Sequence, residues 1–224
     1  MTAGRNRHSG DLVTPLVSLS RALPSAKEQA AILQDIGIES DHNNRLVFAG
    51  TFSKAFDFEP ILDMAKSLNK SYPEWEIILA GVGPEEAKLR QMFSGVSNVK
   101  FIGWVQQVAL KSLYAHSKGI LAPYVQTSNF RDNIPNKVID AVQQGRPLLC
   151  PLDGEVLKLC KEVGLNGHYT DGDSLMAAVV RLCIEGDQDA MQAKLRTVYE
   201  ARFDFDKVYD RLVFHLEKLA TTTR

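Results

Sequence analysis

Two aspartates eight positions apart flank a stretch of this chain that could bind an anion. Asp132 and Asp140 bracket the run Asn133-Ile134-Pro135-Asn136-Lys137. Pro135 suits the first turn of a helix and Gly145 its end, because first-turn amides have no intrahelical acceptor and glycine commonly closes a helix. Free amides and the positive end of the helix dipole attract phosphate. The stretch therefore predicts a phosphate-binding helix start with a carboxylate on either side.

Short apolar runs on both sides of this helix would place its start at the edge of a sheet. Residues 119–123 precede it and residues 147–150 follow it, and both runs are typical of buried strands. Open α/β sheets bind phosphates at the carboxyl ends of their strands. Asp140 lies four residues after Asn136, so both side chains can face one cleft. The alternative is that Asp132 and Asp140 are a loop cap and a solvent-facing helix residue.

Strands and helices alternate along most of the chain. The alternation predicts a Rossmann-like α/β fold with a parallel sheet of about six strands and helices on both faces, closed by C-terminal helices. The helical patterns cover 58–68, a start at 83–86, 108–116, 155–162, 174–185, 187–200 and 206–219. The strand-like runs are 46–50, 75–81, 99–103, 119–123, 148–150 and 167–170.

The first 44 residues differ from the rest. Residues 1–10 are small, polar and basic, which favours disorder, and the apolar stretch within 11–23 fits a strand or a linker. Ser25 followed three positions later by Glu28 predicts a capped helix that ends near Gly37. We therefore predict an N-terminal segment over residues 1–44 and one α/β domain over residues 45–224.

Composition excludes several classes of protein. The 26 Lys and Arg against 27 Asp and Glu give a net charge of −1, which argues against nucleic acid or an anionic membrane as a partner. The three cysteines, Cys150, Cys160 and Cys183, lack a C-x-x-C spacing and predict reduced thiols without a structural metal. The start of the chain has no apolar core of a secretory signal, and no run approaches the roughly 20 apolar residues of a membrane span. These features predict a cytoplasmic protein.

With its flanking strands, the run from Asp132 to Pro147 resembles the E-x7-E region of the retaining GT-B glycosyltransferases of glycosyl transferase group 1 (family 4-like). Both acids are Asp here, a shorter reach than the usual Glu pair. The resemblance implies that Asp132 contacts the donor sugar as the catalytic-site acid and that Asp140 binds the ribose hydroxyls. It also implies that the diphosphate is held by the turn Asn133, Ile134, Pro135, Asn136 and by Lys137.

Two glycine turns extend the resemblance. Gly50 and Thr51 stand where the family often carries Gly-Arg, so Lys54 is expected to supply the charge at the diphosphate, the alternative being an ordinary surface lysine. Gly81 and Gly83 resemble the family's Gly-x-Gly-Pro turn and are expected to line the cleft floor mainly as a structural turn.

Two aromatic positions also match the family. Trp104 and Val105 resemble the segment that holds the nucleotide base, although Trp104 could instead cover the sheet edge. Tyr124 falls at the predicted cleft mouth, where it would touch the sugar or pack as a loop aromatic.

The resemblance covers roughly residues 46–219 and matches only the donor-binding half of a GT-B enzyme. It implies a retaining transferase that moves a sugar from a nucleoside-diphosphate sugar, a UDP-sugar, to a polysaccharide or glycolipid acceptor, with no metal or other cofactor. The partner would be an N-terminal acceptor-binding domain in the same parent chain or a separate subunit, with peripheral membrane association through that domain. Two alternatives stay open: a non-catalytic nucleotide-sugar sensor or interaction subunit, and a sugar-nucleotide epimerase.

Overall fold

One parallel sheet carries the architecture of the computed structural model, which describes Val17 and residues 23–222, without the side chain of Thr222. The strand order is β3-β2-β1-β4-β5, and each neighbouring pair is parallel. The order therefore reverses between β1 and β4. The strands are β1 Arg45–Ala49, β2 Glu76–Ala80, β3 Val99–Gly103, β4 Gly119–Leu121 and β5 Leu148–Leu149.

The strands have the continuous apolar sequences that a sheet covered on both faces requires. Every residue of β1 and β2 is buried, and their register pairs Leu46 with Ile77 and Phe48 with Leu79. Parallel strands read as unbroken apolar runs because helices cover both faces of the sheet. The predicted α/β class with a parallel sheet is confirmed.

The described residues form a sheet of five strands where about six were predicted, because the predicted strand over 167–170 does not join the sheet. The segment 167–170 makes one ladder-like bond, from Cys150 N to Gly167 O at 3.2 Å. The next amides bind side chains instead, because His168 N donates to Asn166 Oδ1 and Thr170 N donates to Ser174 Oγ. The chain there begins the cap of the following helix, so its apolar residues are buried without extending the sheet.

The helices lie on both faces. The β1-to-β2 and β4-to-β5 crossovers run in opposite directions along the sheet, so their right-handed connections place α2 and α6 on opposite faces. On one face α2 packs against α8, and on the other α4 packs against α1 and α6, and α6 against α9. The bounds are α1 Ala26–Asp35, α2 Glu59–Ser71, α3 Glu86–Met92, α4 Gln107–Ala115, α5 Ser128–Arg131, α6 Asn136–Gln144, α7 Glu155–Glu162, α8 Gly172–Val179 with a π-helical turn Val180–Ile184, α9 Gln188–Arg202 and α10 Phe205–Thr222.

The N-terminal expectations are tested only in part. The capping box at α1 is confirmed, since Glu28 N donates to Ser25 Oγ and Ser25 N donates to Glu28 Oε2. Leu33 of α1 is fully buried and the helix packs on α4. The expectations for residues 1–10 and for most of residues 11–23 lie outside the described residues.

The structure also describes the three cysteines and the apolarity of the helices. Cys150, Cys160 and Cys183 are free, as predicted, and all three are buried. Burial raises the pKa of Cys150 and Cys183 to about 12 and that of Cys160 to about 11, so none is a thiolate at neutral pH. Among the helices of residues 23–222, none combines the length and apolarity needed to cross a bilayer.

Candidate functional site

The loops that follow β1 and β4 meet at the carboxyl edge of the sheet, where the strand order reverses. Asp57 N donates to Pro123 O at 2.8 Å, which fixes one loop to the other. Beside this bond, Phe56 and Tyr124 form an isolated antiparallel bridge. Crevices at such reversals are where open α/β sheets bind ligands. This edge is therefore the place to look for a site.

Helix α6 begins at this edge. Pro135 occupies the N-cap position with an extended ψ of 155°, and no side chain caps the helix. Val138 N already donates to Pro135 O, so the preceding first-turn amides are the ones left for a ligand. Gly145 closes the helix in the left-handed conformation, with φ 65° and ψ 34°. The predicted helix and its glycine end are confirmed, with Pro135 one position before the first turn.

Lys137, in the first turn of α6, reaches across to the loop after β1. Its Nζ lies 5.3, 5.0 and 6.0 Å from the ring centroids of Phe48, Phe56 and Tyr124. The same Nζ rests against the backbone of Gly50, where any Cβ would collide with it. The ammonium group is thereby placed at the end of β1.

Asp140 lies one helical turn after Lys137 and is half-buried between α6 and α4. Burial raises the pKa of Asp140 above its ordinary value of 3.8, and the ammonium groups of Lys137 and Lys111 act in the opposite direction. Burial lowers the pKa of Lys137, and Asp140 opposes that shift. Both charges are thus partly removed from water, and each supports the charged state of the other.

A cleft of about 170 Å³ opens at the end of β1, where the Lys137 ammonium group lies against Gly50. Its floor is the sheet edge itself, since Gly50 N donates to Ala80 O at 2.8 Å and Gly81 N donates to Gly103 O at 2.6 Å. Trp104 at its rim is 69% exposed, which leaves its ring free to stack on a planar ligand. Five of the residues that the sequence singled out line this one cleft: Gly50, Thr51, Gly81, Trp104 and Val105.

Three other predicted site residues, Lys54, Gly83 and Tyr124, are not among those that line this cleft. Lys54 lines a separate, more open pocket of about 280 Å³, together with Glu85 and Lys88. Gly83 packs directly on the backbone of Phe52, where a Cβ would collide with it, so its role is the structural turn. Tyr124 is only 8% exposed, because its ring packs in the aromatic cluster beneath the loop.

Asp132 lies on the exposed turn that precedes α6. It ends α5 and has Lys158 of α7 as an electrostatic neighbour, whereas Asp140 faces α4. The backbone of this turn is held by Gly154, whose Cα packs on the Arg131 carbonyl so closely that no Cβ could fit. The two aspartates therefore have different surroundings on either side of the α6 start.

Asn133 and Ile134 complete the turn. Asn133 Nδ2 donates to Asn129 O at 2.6 Å, and Ile134 packs against the core. Asn136, the first residue of α6, is exposed. The turn that carries the α6 amides is thus fixed from both its polar and its apolar side.

Sequence reasoning missed three residues of this edge. Phe48 and Phe56 contact Lys137 through their rings, and Lys111 of α4 faces Asp140. Lys111 had a signal, because it lies three residues before the buried Tyr114 and so on the inward face of α4. Phe56 had none, since only the loop pairing brings its ring beneath α6.

A possible metal-ligand group lies at the opposite edge. Within residues 23–222, Glu39, Asp41 and His42 have ligand atoms within 4.8 Å of one another. Arg45 Nη2 lies 3.5 Å from His42 Nε2, and a guanidinium at that position opposes a bound cation. This group is remote from the cleft and takes no part in the site.

Comparison with known families decides what kind of domain carries this site. The family model of glycosyl transferases group 1 matches residues 43–200, more than half of the chain. The chain belongs to this family. Curated protein sequences give no match. The predicted resemblance to glycosyl transferase group 1 is confirmed.

Solved structures show the fold of this group 1 domain in other proteins. Anabaena HepE in complex with UDP-glucose is 20% identical, with a TM-score of 0.63 over 88% of this chain and 54% of HepE. WaaG, a glycosyltransferase involved in lipopolysaccharide biosynthesis, is 16% identical, with a TM-score of 0.65 over 90% of this chain and 55% of WaaG.

A third structure, the pneumococcal O-GlcNAc transferase GtfA in complex with UDP and GlcNAc, is 14% identical, with a TM-score of 0.61 over 88% of this chain and 44% of GtfA. At sequence identities of 14, 16 and 20%, the structural similarity shows that these proteins share the fold of this chain. The chain spans about half the length of these proteins.

Proposed function

We propose that this chain binds a nucleoside-diphosphate sugar, a UDP-sugar, as the donor-binding half of a glycosyltransferase. The observation that carries the proposal is the Lys137 ammonium group, which lies against Gly50 at the cleft and belongs to a helix with an uncapped start and a half-buried Asp140 one turn further on. A cation and free amides suit a diphosphate, a partly buried carboxylate suits ribose hydroxyls, and the exposed Trp104 ring suits a base. Relatives of the same fold were solved with UDP or UDP-glucose, which supports this assignment.

The chemistry of the site follows from where charge would develop. In transfer, the bond from the sugar to the diphosphate breaks, the UDP leaves with the bonding electrons, and the oxygen of an acceptor hydroxyl forms the new bond to the sugar while its proton passes to the departing UDP. The amides of α6 and the Lys137 ammonium would stabilise the charge on the departing diphosphate, and fixed donors of this kind often supply the largest catalytic contribution. Asp132 would orient the sugar and Asp140 would hold the ribose.

We also propose the finer features that the family resemblance implies. The sugar would be transferred with retention of anomeric configuration, to a polysaccharide or glycolipid acceptor. The acceptor would be bound by an N-terminal domain in the same parent chain or in a separate subunit. Determining the anomeric configuration of the product made with that domain tests this proposal, and an inverted product would contradict it.

The binding step can be tested with this chain and UDP. Asp140→Ala should weaken UDP binding about tenfold or more, the loss of about one charge-assisted hydrogen bond. Isothermal titration calorimetry gives the affinity, and thermal unfolding shows whether the variant is folded. Asp173→Ala, an exposed aspartate in the first turn of α8, is the matched control and should bind UDP as the wild type does.

Two results would count against the proposal in different ways. Wild-type protein that does not bind UDP or another nucleoside diphosphate would overturn the function itself. Asp140→Ala protein that is folded and binds UDP with unchanged affinity would remove the role assigned to Asp140 and leave the site to its other residues.

A further inference from the structure

We propose that Phe56 and Tyr124, with Phe48 behind them, are positioning residues that hold the Lys137 ammonium at Gly50 for a diphosphate. We call Phe48, Phe56 and Tyr124 the aromatic cage. This inference rests on the proposed function and deepens it, because it says how one flexible side chain is kept at the site. The sequence resemblance pointed to Lys54 for a charge in this region, and the structure places Lys54 in another pocket.

The cage surrounds one end of the lysine. The Nζ of Lys137 is 5.0 Å from the Phe56 centroid, 5.3 Å from that of Phe48 and 6.0 Å from that of Tyr124. Ammonium groups are attracted to aromatic faces within about 6 Å, most strongly where water is excluded. The three rings lie around the ammonium group, which also contacts the backbone of Gly50 at the edge of the cleft.

The cage is itself held rigidly. The Phe56 ring meets Phe48 edge-on, with centroids 5.0 Å apart and an interplanar angle of 78°, and lies 4.9 Å from the Tyr124 ring. The bridge between Phe56 and Tyr124 and the Asp57–Pro123 hydrogen bond fix the backbones of the two loops. The rings thus come from β1 and from two loops that are tied together.

Gly50 shows which way the ammonium points. A Cβ built at this position would collide with Lys137 Nζ, so the missing side chain is the space that the ammonium uses. Gly50 also lines the 170 Å³ cleft with Trp104 and Val105. A phosphate approaching the α6 amides over Gly50 would therefore meet a lysine that is already in place.

Holding the lysine in place should increase affinity. A free lysine loses rotamer entropy when it is fixed on a ligand, and a preorganised one has already lost it. Burial favours the neutral amine of Lys137, whereas aromatic faces and the Asp140 carboxylate favour the ammonium. The cage therefore serves both the position and the charge of Lys137.

The test compares two phenylalanines of the same cluster in the full chain. Phe56→Leu removes one wall of the cage. Phe58→Leu removes a ring that meets Phe48 at 4.9 Å and is not among the rings described around Lys137. We expect Phe56→Leu to weaken UDP binding about threefold to tenfold and Phe58→Leu to change it less than about twofold. Thermal unfolding establishes that both variants are folded.

Two further measurements separate positioning from general packing. Uridine, which lacks the diphosphate, should bind Phe56→Leu and wild type alike when measured by ligand-observed NMR. In a Lys137→Met background, Phe56→Leu should have no further effect on UDP, because the cage then has no ammonium to hold.

The outcomes are distinct. Equal losses in Phe56→Leu and Phe58→Leu, or an additive loss in the Lys137→Met background, would overturn the positioning role and leave the proposed function standing. Tighter UDP binding by Phe56→Leu would show that the cage withholds the lysine, which also overturns the proposal. Wild-type protein without UDP affinity would remove the proposed function on which the inference rests.

Discussion

Asp140 and Lys137 are two charged residues kept partly out of water at the candidate site. Burial acts on each in the direction that disfavours its charge, and each is the other's main support. Such a pair rarely adds stability, because the cost of removing charges from water offsets their attraction. Its presence at the sheet edge is explained by the polar ligand that the two groups would share.

This cost can be measured for Asp140. Its pKa is raised in the folded state, so between the ordinary value of 3.8 and the folded-state value the native protein binds more protons than the unfolded chain. Stability attributable to this group is therefore present below pH 3.8 and lost as the pH rises through that window. Asp140→Asn, which is neutral at every pH, should have a higher thermal midpoint than wild type at pH 7.

The informative quantity is the difference in thermal midpoint between Asp140→Asn and wild type, because the titration of the other carboxylates contributes equally to both proteins. It should shrink toward zero as the pH is lowered to about 2.5, more than one unit below the ordinary pKa of 3.8, where Asp140 is protonated in both states. An Asp140→Asn variant that is less stable than wild type at pH 7 would show that the carboxylate stabilises the fold.

Lys54 and Lys137 were both predicted to lie at the diphosphate, and the residues alone could not show which of the two reaches the cleft. Lys54 and Lys137 both follow predicted strands, and sequence gives no direction to a four-carbon side chain. The choice depends on the path of the loop after β1, which turns Lys54 toward Glu85 and brings Phe56 beneath Lys137. Only the tertiary pairing of two loops fixes that path.

Helix α6 connects the candidate site to the packing of the domain. Its first turn carries Lys137, whose ammonium group lies at Gly50, and its end, Gly145, lies against α9. Gly145 has φ +65°, and a Cβ there would be 3.2 Å from the Gln192 Cα and closer to its side chain. The glycine thus serves both to end α6 and to let α9 approach.

Gly145→Ala should therefore cost more than left-handed strain alone. A residue with a Cβ loses about 1–2 kcal/mol in this conformation, and the contact with the α9 backbone should bring the loss in free energy of unfolding to about 2–3 kcal/mol. Gly164→Ala is the matched control, because Gly164 has φ +68° with nothing within 4 Å of its Cβ position. Chemical denaturation measures the loss in free energy of unfolding for both variants. Equal losses would mean that α9 moves away from the new Cβ without destabilising the protein.

Most elements could be predicted, because their signals are local. The bounds Glu155–Glu162 for α7 and Val99–Gly103 for β3 match the predicted ranges, since apolar spacing and flanking glycines define both. The sixth strand was wrong because strand pairing is not local. Gly167 and Tyr169 are buried as a strand requires, yet the amide of His168 donates to the Asn166 side chain and that of Thr170 donates to Ser174 at the start of α8.

At the scale of the whole molecule, the two edges of the sheet have different chemistry. The carboxyl edge holds the candidate site, and the amino edge holds a buried ion pair in which Arg45 Nε donates to Glu76 Oε1 at 2.8 Å. Arg45 is fully buried and Glu76 is 7% exposed, with Lys100 Nζ 2.7 Å from the second carboxylate oxygen. We therefore expect stability and ligand binding to respond to different substitutions.

Arg45→Met tests that separation. Removing one partner of a buried pair leaves an uncompensated charge and typically costs about 3–5 kcal/mol, and the remaining Lys100 contact places the expected loss near about 3 kcal/mol. UDP affinity, measured below the unfolding transition, should stay within about twofold of wild type, because the pair lies a full strand length from the cleft. Arg196→Met, which breaks an exposed pair with Glu200 on α9, should cost less than about 1 kcal/mol.

The double variant Arg45→Met with Glu76→Leu completes the argument. Replacing both charges by apolar groups of similar size removes the Glu76 carboxylate that Arg45→Met leaves without its guanidinium partner. Much of the stability lost in Arg45→Met should therefore return. Denaturation of the single and double variants shows this directly. If Arg45→Met weakened UDP binding strongly while the protein remained folded, the two edges would be coupled through β1, and the division between a stabilising edge and a binding edge would be wrong.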